Sequence, residues 1–366
     1  MPVLNMNGHS CVCYPKLISM KLFSFLFLSL FSLLIACRSA VDPDNVSYAF
    51  REEEVTLGGV FTEQLASLNA VGSSRLDRES LFAERIKELQ KQVVELKRDH
   101  ESVKSESFDN KWNEIQKGTI VNFDKLSDAD VKNWVILNDS LLKYSGEQRF
   151  AEELEKMAYN VPIPEVITEK MIKSFCYTRL YDRIYVNILG SSEVEYEHTT
   201  GGKVRVIQHT KYPFDGRITI QVATQDTRYL DLFIRIPKWA EQSSVTLRGV
   251  MYNTIPGNYT EIARKWKNGE TVEIVLGFRP DVIRNDSTAM AFTFGPMFLS
   301  YLAEPGKSMV FRDTDPIKYL KLVSPTDEMP TFTFSGIPNE TLVLQPFFAR
   351  QDPPLQRKAW IKTTPE

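Results

Sequence analysis

The stretch "TKYPFDGRITIQV", residues 210–222, holds a turn followed by a strand. Tyr212-Pro213 and Asp215-Gly216 are turn dipeptides, and Ile218, Ile220 and Val222 then alternate with polar residues. Period-two alternation of this kind marks a strand with one buried face. The same pattern recurs on both sides, in "RIYVNIL" (183–189), "SEVEYE" (192–197), "KVRVIQ" (203–208), "LDLFIRI" (230–236), "SVTLRGV" (244–250), "TVEIVLGF" (271–278) and "MAFTFGPMFLSYL" (290–302). "TTGGK" (199–203) is a hairpin turn signal between two of them. Many short strands separated by turn residues predict an antiparallel β-sandwich. The Pro-rich segment 306–366, with "TFTFSG" and "TLVLQPFF", is expected to complete that sandwich or to form a small β appendage.

Upstream of Asp182 the period is helical. "RESLFAERIKELQKQVVELKRDHESVK" (78–104) places Ile86, Leu89, Val93 and Leu96 on one narrow stripe that Val103 extends. Such a helix packs on its own protein or, through residues 81–104, on a partner helix to give an oligomer. Residues 104–126 are weakly patterned. Ser127, with Asp128 and Asp130 behind it, reads as a helix N-cap whose acidic first turn complements the helix dipole. Val131, Trp134, Val135, Leu141 and Leu142 form its apolar face, and Gly146 suits the position just past its end. "EQRFAEELEKMAYN" (147–160) repeats the pattern, giving an αα-hairpin. A third helix is expected near "ITEKMIKSFCYTRLYD" (167–182), with Ile172, Phe175 and Cys176 inward. The fold class is therefore α+β and multidomain, with helices before a sandwich.

The chain has 366 residues, 43% of them hydrophobic and 25% charged, which is ordinary globular composition. Its net charge of -3 and the lack of any basic block leave no electrostatic basis for a nucleic-acid partner. Met20 opens "MKLFSFLFLSLFSLLIACRSA", in which Leu22 to Ala36 carries no charge. That run is short for a membrane span and suits the apolar region of an export signal. It ends in Leu34-Ile35-Ala36-Cys37, which resembles the bacterial lipoprotein box, with Cys37 as the acylated residue. Plain secretory cleavage near Ala36 or Ala40 is the alternative. A start placed too early accounts for Met1 to Ser19. The expected location is the cell envelope, with a lipid anchor as the link to the membrane. Of Cys11, Cys13, Cys37 and Cys176, a processed chain keeps at most two, too few for a four-cysteine zinc site. Residues 38–54 look like a polar tether.

Several stretches together resemble one family. "RIYVNILGSSEVEYE", "HTKYPFDGRITIQV", "LDLFIRIPKWA", "NYTEIARKWKNGETVEIVLGF" and "AMAFTFGPMFLSYLAE" occur in the order of the β-sandwich of glycoside hydrolase family 127, the β-L-arabinofuranosidases. The marks are the Tyr-Pro-aromatic-Asp-Gly turn, the Arg-Ile-Pro-x-Trp strand end and the Arg-x-Trp-x-x-Gly turn. Upstream, "LLKYSGEQRFAEELEKMAYN" resembles the family's helix pair, and "VTLGGVFTEQLASLNAVGSSRLDRESLF" its opening segment. The family places an (α/α)6 barrel between those two points. Here residues 83–126 stand there, too few for the missing helices.

The resemblance implies a zinc cluster held by one Glu and three Cys, with a Cys nucleophile and a Glu acid/base; zinc would lower the thiol's pKa. On that register Ser127 stands where the Glu belongs and Ala129 where the Cys belongs. The Cys-Cys pair expected after the hairpin is absent, and Cys176 lies too close to Tyr185 to inherit its role. Cys176 instead reads as a small buried residue. His198 and His209 read as exposed strand residues, and Trp239 and Trp266 as sandwich packing with sugar stacking as the alternative. No catalytic, cofactor or metal residue is assigned, and no cofactor is expected.

The expected divisions are 1–40 (extension and signal), 41–126 (tether and amphipathic helix), 127–183 (helical hairpin remnant of the barrel), 184–305 (sandwich) and 306–366 (β extension). The resemblance implies an exported relative of enzymes acting on plant-type arabinose-containing glycans, inactive for want of barrel and zinc site. The alternatives are a glycosidase with a rearranged or partner-completed site, and a lipid-anchored carbohydrate-binding or interaction module.

Overall fold

The computed structural model describes residues 47–59, 61, 80–99, 101–160, 167–285, 288–304, 306, 309–324, 329–348 and 356–364. Cys37 and the export signal lie outside them. The described helices are α1 (Ala83–Arg98), α2 (Glu106–Val121), α3 (Asp128–Ser145), α4 (Gln148–Asn160) and α5 (Glu169–Cys176). The strands, in chain order, are β1 (Tyr48–Ala49), β2 (Val55–Leu57), β3 (Tyr177–Leu180), β4 (Arg183–Val186), β5 (Ser192–Glu197), β6 (Lys203–Thr210), β7 (Arg217–Thr224), β8 (Arg228–Ile236), β9 (Ser243–Leu247), β10 (Val250–Tyr252), β11 (Asn258–Trp266) and β12 (Glu270–Leu276). There follow β13 (Pro280–Asn285), β14 (Ala289–Phe294), β15 (Met297–Ala303), β16 (Val310–Phe311), β17 (Leu320–Leu322), β18 (Phe332–Ile337), β19 (Glu340–Pro346), β20 (Gln356–Lys358) and β21 (Ile361–Thr363).

The sandwich consists of a five-stranded sheet, β1-β3-β4-β8-β11, facing a seven-stranded sheet, β10-β9-β12-β7-β6-β5-β2. Their inner faces share one core: Ile184, Leu232 and Ile262 from the first sheet, and Val206, Ile220 and Val272 from the second. Alternation along β7 and β12 is strict, so each register fixes which residues face inward. The pairing is antiparallel apart from β4 on β8 and β16 on β21, which run parallel.

The helices close on themselves and continue the sandwich core. Trp112 of α2 stacks on Trp134 of α3 and meets Phe150 of α4 edge-on. Ser127 accepts from the Asp130 N–H as an N-cap, and Gly146 ends α3 in the left-handed region (φ 67°). Among the described residues of α3 and α4, Ile136 is the exposed large apolar side chain. The described residues of α3 and α4 therefore present no bare apolar face.

Three expectations need correction. The supposed tether, residues 38–54, carries β1, which edges the five-stranded sheet through β3, and buries Phe50; β2 just after it edges the seven-stranded sheet through β5. Residues 104–126, read as weakly patterned, contain α2, whose Phe108, Trp112, Ile115 and Thr119 make a buried stripe. The Ile86, Leu89, Val93 stripe of α1 is buried within this chain, in line with a helix packed on its own protein. Finally, β14 and β15 pair with β19, β20 and β21 across the expected division at 305, giving a nine-stranded sheet with its own core.

Candidate functional site

The turns of the sandwich alternate between two ends. At one end lie residues 187–191, 211–216, 237–242 and 277–279; the helices and the third sheet dock there. At the other lie the turns at 181–182, 198–202, 225–227, 248–249 and 267–269.

The docked end is built around a buried ion pair. Glu155 of α4 and Arg235 of β8, 1% and 0% exposed, pair directly. Burial pushes the Glu155 carboxyl up, against the pull of Arg235. For Arg235 burial acts to lower the guanidinium, and Glu155 together with Tyr212 and Glu152 more than reverses it. Arg235 Nε donates to the Asn187 carbonyl at 2.5 Å, and Tyr259 donates to Asn187 Oδ1 at 2.7 Å. The Leu189 N–H donates to Glu155 at 3.3 Å, and the Tyr159 hydroxyl to the Leu189 carbonyl at 2.5 Å.

The 210–217 turn belongs to this junction. Tyr212, which precedes Pro213 through a cis bond, lies edge-on to both Tyr159 and Phe278. Phe214 and Phe278 each pack against the sandwich core and the third-sheet core. A Cβ on Gly216 would lie 2.2 Å from the Leu276 carbonyl oxygen, so only glycine fits that crossing. Asn160, ending α4, donates to the Pro296 carbonyl at 2.7 Å and accepts from Phe298 N–H at 2.6 Å, which ties α4 to the β14–β15 turn. Glu155, Tyr159, Asn160, Tyr212 and Arg235 are buried, and the cluster pins these elements together.

The residues at the implied metal positions do other work. The Ser127 hydroxyl is committed to the α3 cap, and Ala129 has no ligating atom. Asp130 forms a capping box with Ser127 and also accepts from Ser80 Oγ (2.5 Å) and from the Leu81 and Phe82 N–H groups. Burial acts to raise its carboxyl, but these hydrogen bonds outweigh burial and hold it below the usual range. Cys176 is a buried free thiol, pushed up to about 12 by burial, with Ser192 beside it. A hydroxyl already used as a cap, a methyl group and a protonated thiol do not fit the zinc cluster that the resemblance implies. Among the described residues no group of three His, Cys, Asp or Glu side chains could hold a metal.

His198 differs from expectation: it is buried, with Nε2 at 2.9 Å from the Tyr229 carbonyl and 3.3 Å from Asp182 Oδ2. His209 is exposed, as expected. Trp266 is buried with its Nε1 donating to the Leu230 carbonyl, and Trp239 packs edge-on against Phe278. Both are packing residues.

The free end carries two open cavities. One, of about 470 Å³, lies between the 248–249 and 267–269 turns. There Glu270 is gripped by Arg248 and Arg264, and Trp266 below it is fully buried, so no aromatic face is offered. The other, of about 270 Å³, is lined by Tyr181, Asp182, Arg183, Tyr229 and Asp231. Sequence reasoning missed both this cavity and the Glu155–Arg235 pair. The available signals were a Glu on the apolar stripe of α4 and an Arg amid the buried residues that end β8.

Residues 183–278 match the family model described as the GH127 middle domain of β-L-arabinofuranosidase. Three solved structures share the fold at 16% identity. A glycoside hydrolase has a TM-score of 0.53 over 64% of this chain and 52% of its own. A GH127 β-arabinofuranosidase has 0.54 over 65% and 49%. A GH127 β-L-arabinofuranosidase from Geobacillus stearothermophilus T6 has 0.52 over 65% and 50%. This chain spans about half the length of these structures. No curated protein matches it. The protein is GH127-like over part of its length, the sandwich segment 183–278.

Proposed function

We propose that this protein is a non-catalytic relative of β-L-arabinofuranosidases that binds arabinose-containing glycans of plant type at the bacterial cell envelope, anchored through acylated Cys37. The observation that carries the reading is the contrast within the resemblance. Its marks at Tyr212, Asn160, Arg235, Trp239 and Trp266 are kept as packing and docking residues. On the register of the resemblance Ser127 and Ala129 stand where the Glu and Cys belong, and Cys176, the free cysteine among the described residues, is buried away from the role of the missing Cys-Cys pair.

The test is arabinose release from a β-L-arabinofuranoside by the whole protein, with and without added zinc. No release above background is expected. Turnover that a chelator abolishes would show a working metal site and overturn the reading. For the anchor, Cys37→Ser is expected to move the protein from the membrane fraction to the soluble exported fraction; unchanged fractionation removes the lipid link.

A further inference from the structure

We propose that the cavity at the free end of the sandwich is a saccharide-binding subsite, formed by Tyr181 and Tyr229 over the carboxylates of Asp182 and Asp231 and the guanidinium of Arg183. This inference rests on the reading of the protein as a carbohydrate-binding relative, and it names where the sugar sits.

Two tyrosines at this cavity project into solvent: Tyr181 is 76% exposed and Tyr229 53%. Neither ring is explained by packing. Tyr181 also has φ 55°, in the left-handed region, at the two-residue turn between β3 and β4. Gly or Asn is the usual occupant of such a position, and a tyrosine there is strained. An exposed aromatic kept at a strained turn points to a use outside folding.

The polar groups beneath are fixed. Asp182 Oδ1 accepts from the Thr199 N–H at 3.2 Å, Oδ2 accepts from the Thr199 hydroxyl, and His198 braces the same oxygen. The Asp182 carbonyl accepts from the Asp231 N–H at 3.1 Å, joining the turn to β8. The parallel register places Arg183 opposite Asp231, and their side chains stand 3.5 Å apart. Asp231 Oδ1 is closed off from solvent, and the Tyr229 hydroxyl interacts with the Asp231 carboxylate, which ties the exposed tyrosine to the acidic pair. A sugar ring matches this set: its hydroxyls donate to carboxylates and accept from a guanidinium, while its C–H face lies against an aromatic ring. A cavity of about 270 Å³ suits one or two rings rather than a long chain. Six residue steps along β8 lead from Tyr229 to Arg235, so the subsite is about 20 Å from the helix-docked end.

The experiment is a calorimetric titration of the whole protein with an arabinan trisaccharide and with cellotriose. Saturable binding of at least one is expected, weakened about tenfold or more in Tyr181→Ala and in Tyr229→Ala. Asp231→Asn should also weaken it, while Tyr252→Ala, distant from the cavity, should not. Unfolding midpoints matching the parent's confirm that the variants are folded. If the parent binds and both tyrosine variants bind equally well, the subsite is overturned while the carbohydrate-binding reading stands. If the parent binds neither sugar, both fall.

Discussion

The two ends of the sandwich contrast in what their polar residues do. At the docked end, Glu155, Arg235, Asn187, Tyr159 and Tyr212 are buried, and their groups point at one another. At the free end, Tyr181, Tyr229 and Arg183 are open to solvent, over carboxylates held in place from below. The same strands run between both ends, so the difference lies in the turns. The docked end includes close crossings, such as Gly216 over Leu276, that tolerate few side chains. A free end can change its chemistry without disturbing that frame.

The largest effect should come from splitting the buried pair. Arg235→Ala leaves Glu155 buried without its cation and is expected to cost about 3–5 kcal/mol in urea denaturation. The double variant Glu155→Gln, Arg235→Met should recover part of that loss. A single variant within about 0.5 kcal/mol of the parent would show that the docked end is not the stability centre.

Next is Gly216→Ala. The added methyl would meet the Leu276 carbonyl, whose own N–H donates to the Gly216 carbonyl at 2.9 Å. Relief requires moving the β7 entrance, at a cost of about 1–3 kcal/mol. An unchanged unfolding midpoint would mean that this crossing has slack.

Asp130 comes third. Its carboxyl is held below the unfolded value, so its contribution is complete above the ordinary carboxylate range and is lost as pH falls through and below it. Asp130→Asn should cost about 1–2 kcal/mol at neutral pH, as for a lost cap, and flatten the stability profile in acid. A variant whose acid profile parallels the parent's would place that dependence elsewhere.

These effects also bear on how far the sequence could be read. Strands β5 to β8 were legible because alternation and turn residues agree, and α3 because Ser127 and Gly146 bracket an apolar stripe. Helix α2 was not, since its four buried residues are diluted by Asp109, Asn110, Lys111 and Gly118. Strands β1 and β2 are too short to show a period, and only their partners β3 and β5 define them. Glu155 and Arg235 are not singled out by the sequence, because their burial depends on a contact between residues 80 apart in the chain. His198 was hidden for the same reason: its partners Asp182 and Tyr229 come from other hairpins. The site cavity needs three turns brought together, which local patterning does not encode.

The smallest effect on stability, and the sharpest contrast between the ends, should come from Tyr181→Gly. Glycine relieves the left-handed strain of φ 55° but adds freedom to the unfolded chain, so the two terms oppose each other. With a ring that is 76% exposed, little packing is lost. The unfolding free energy should therefore stay within about 1 kcal/mol of the parent, while saccharide binding falls. At the docked end a comparable loss of a side chain would unfold the junction. If Tyr181→Gly instead destabilised the protein by several kcal/mol, the ring would be holding the β3–β4 turn together, and the free end would be scaffold as well.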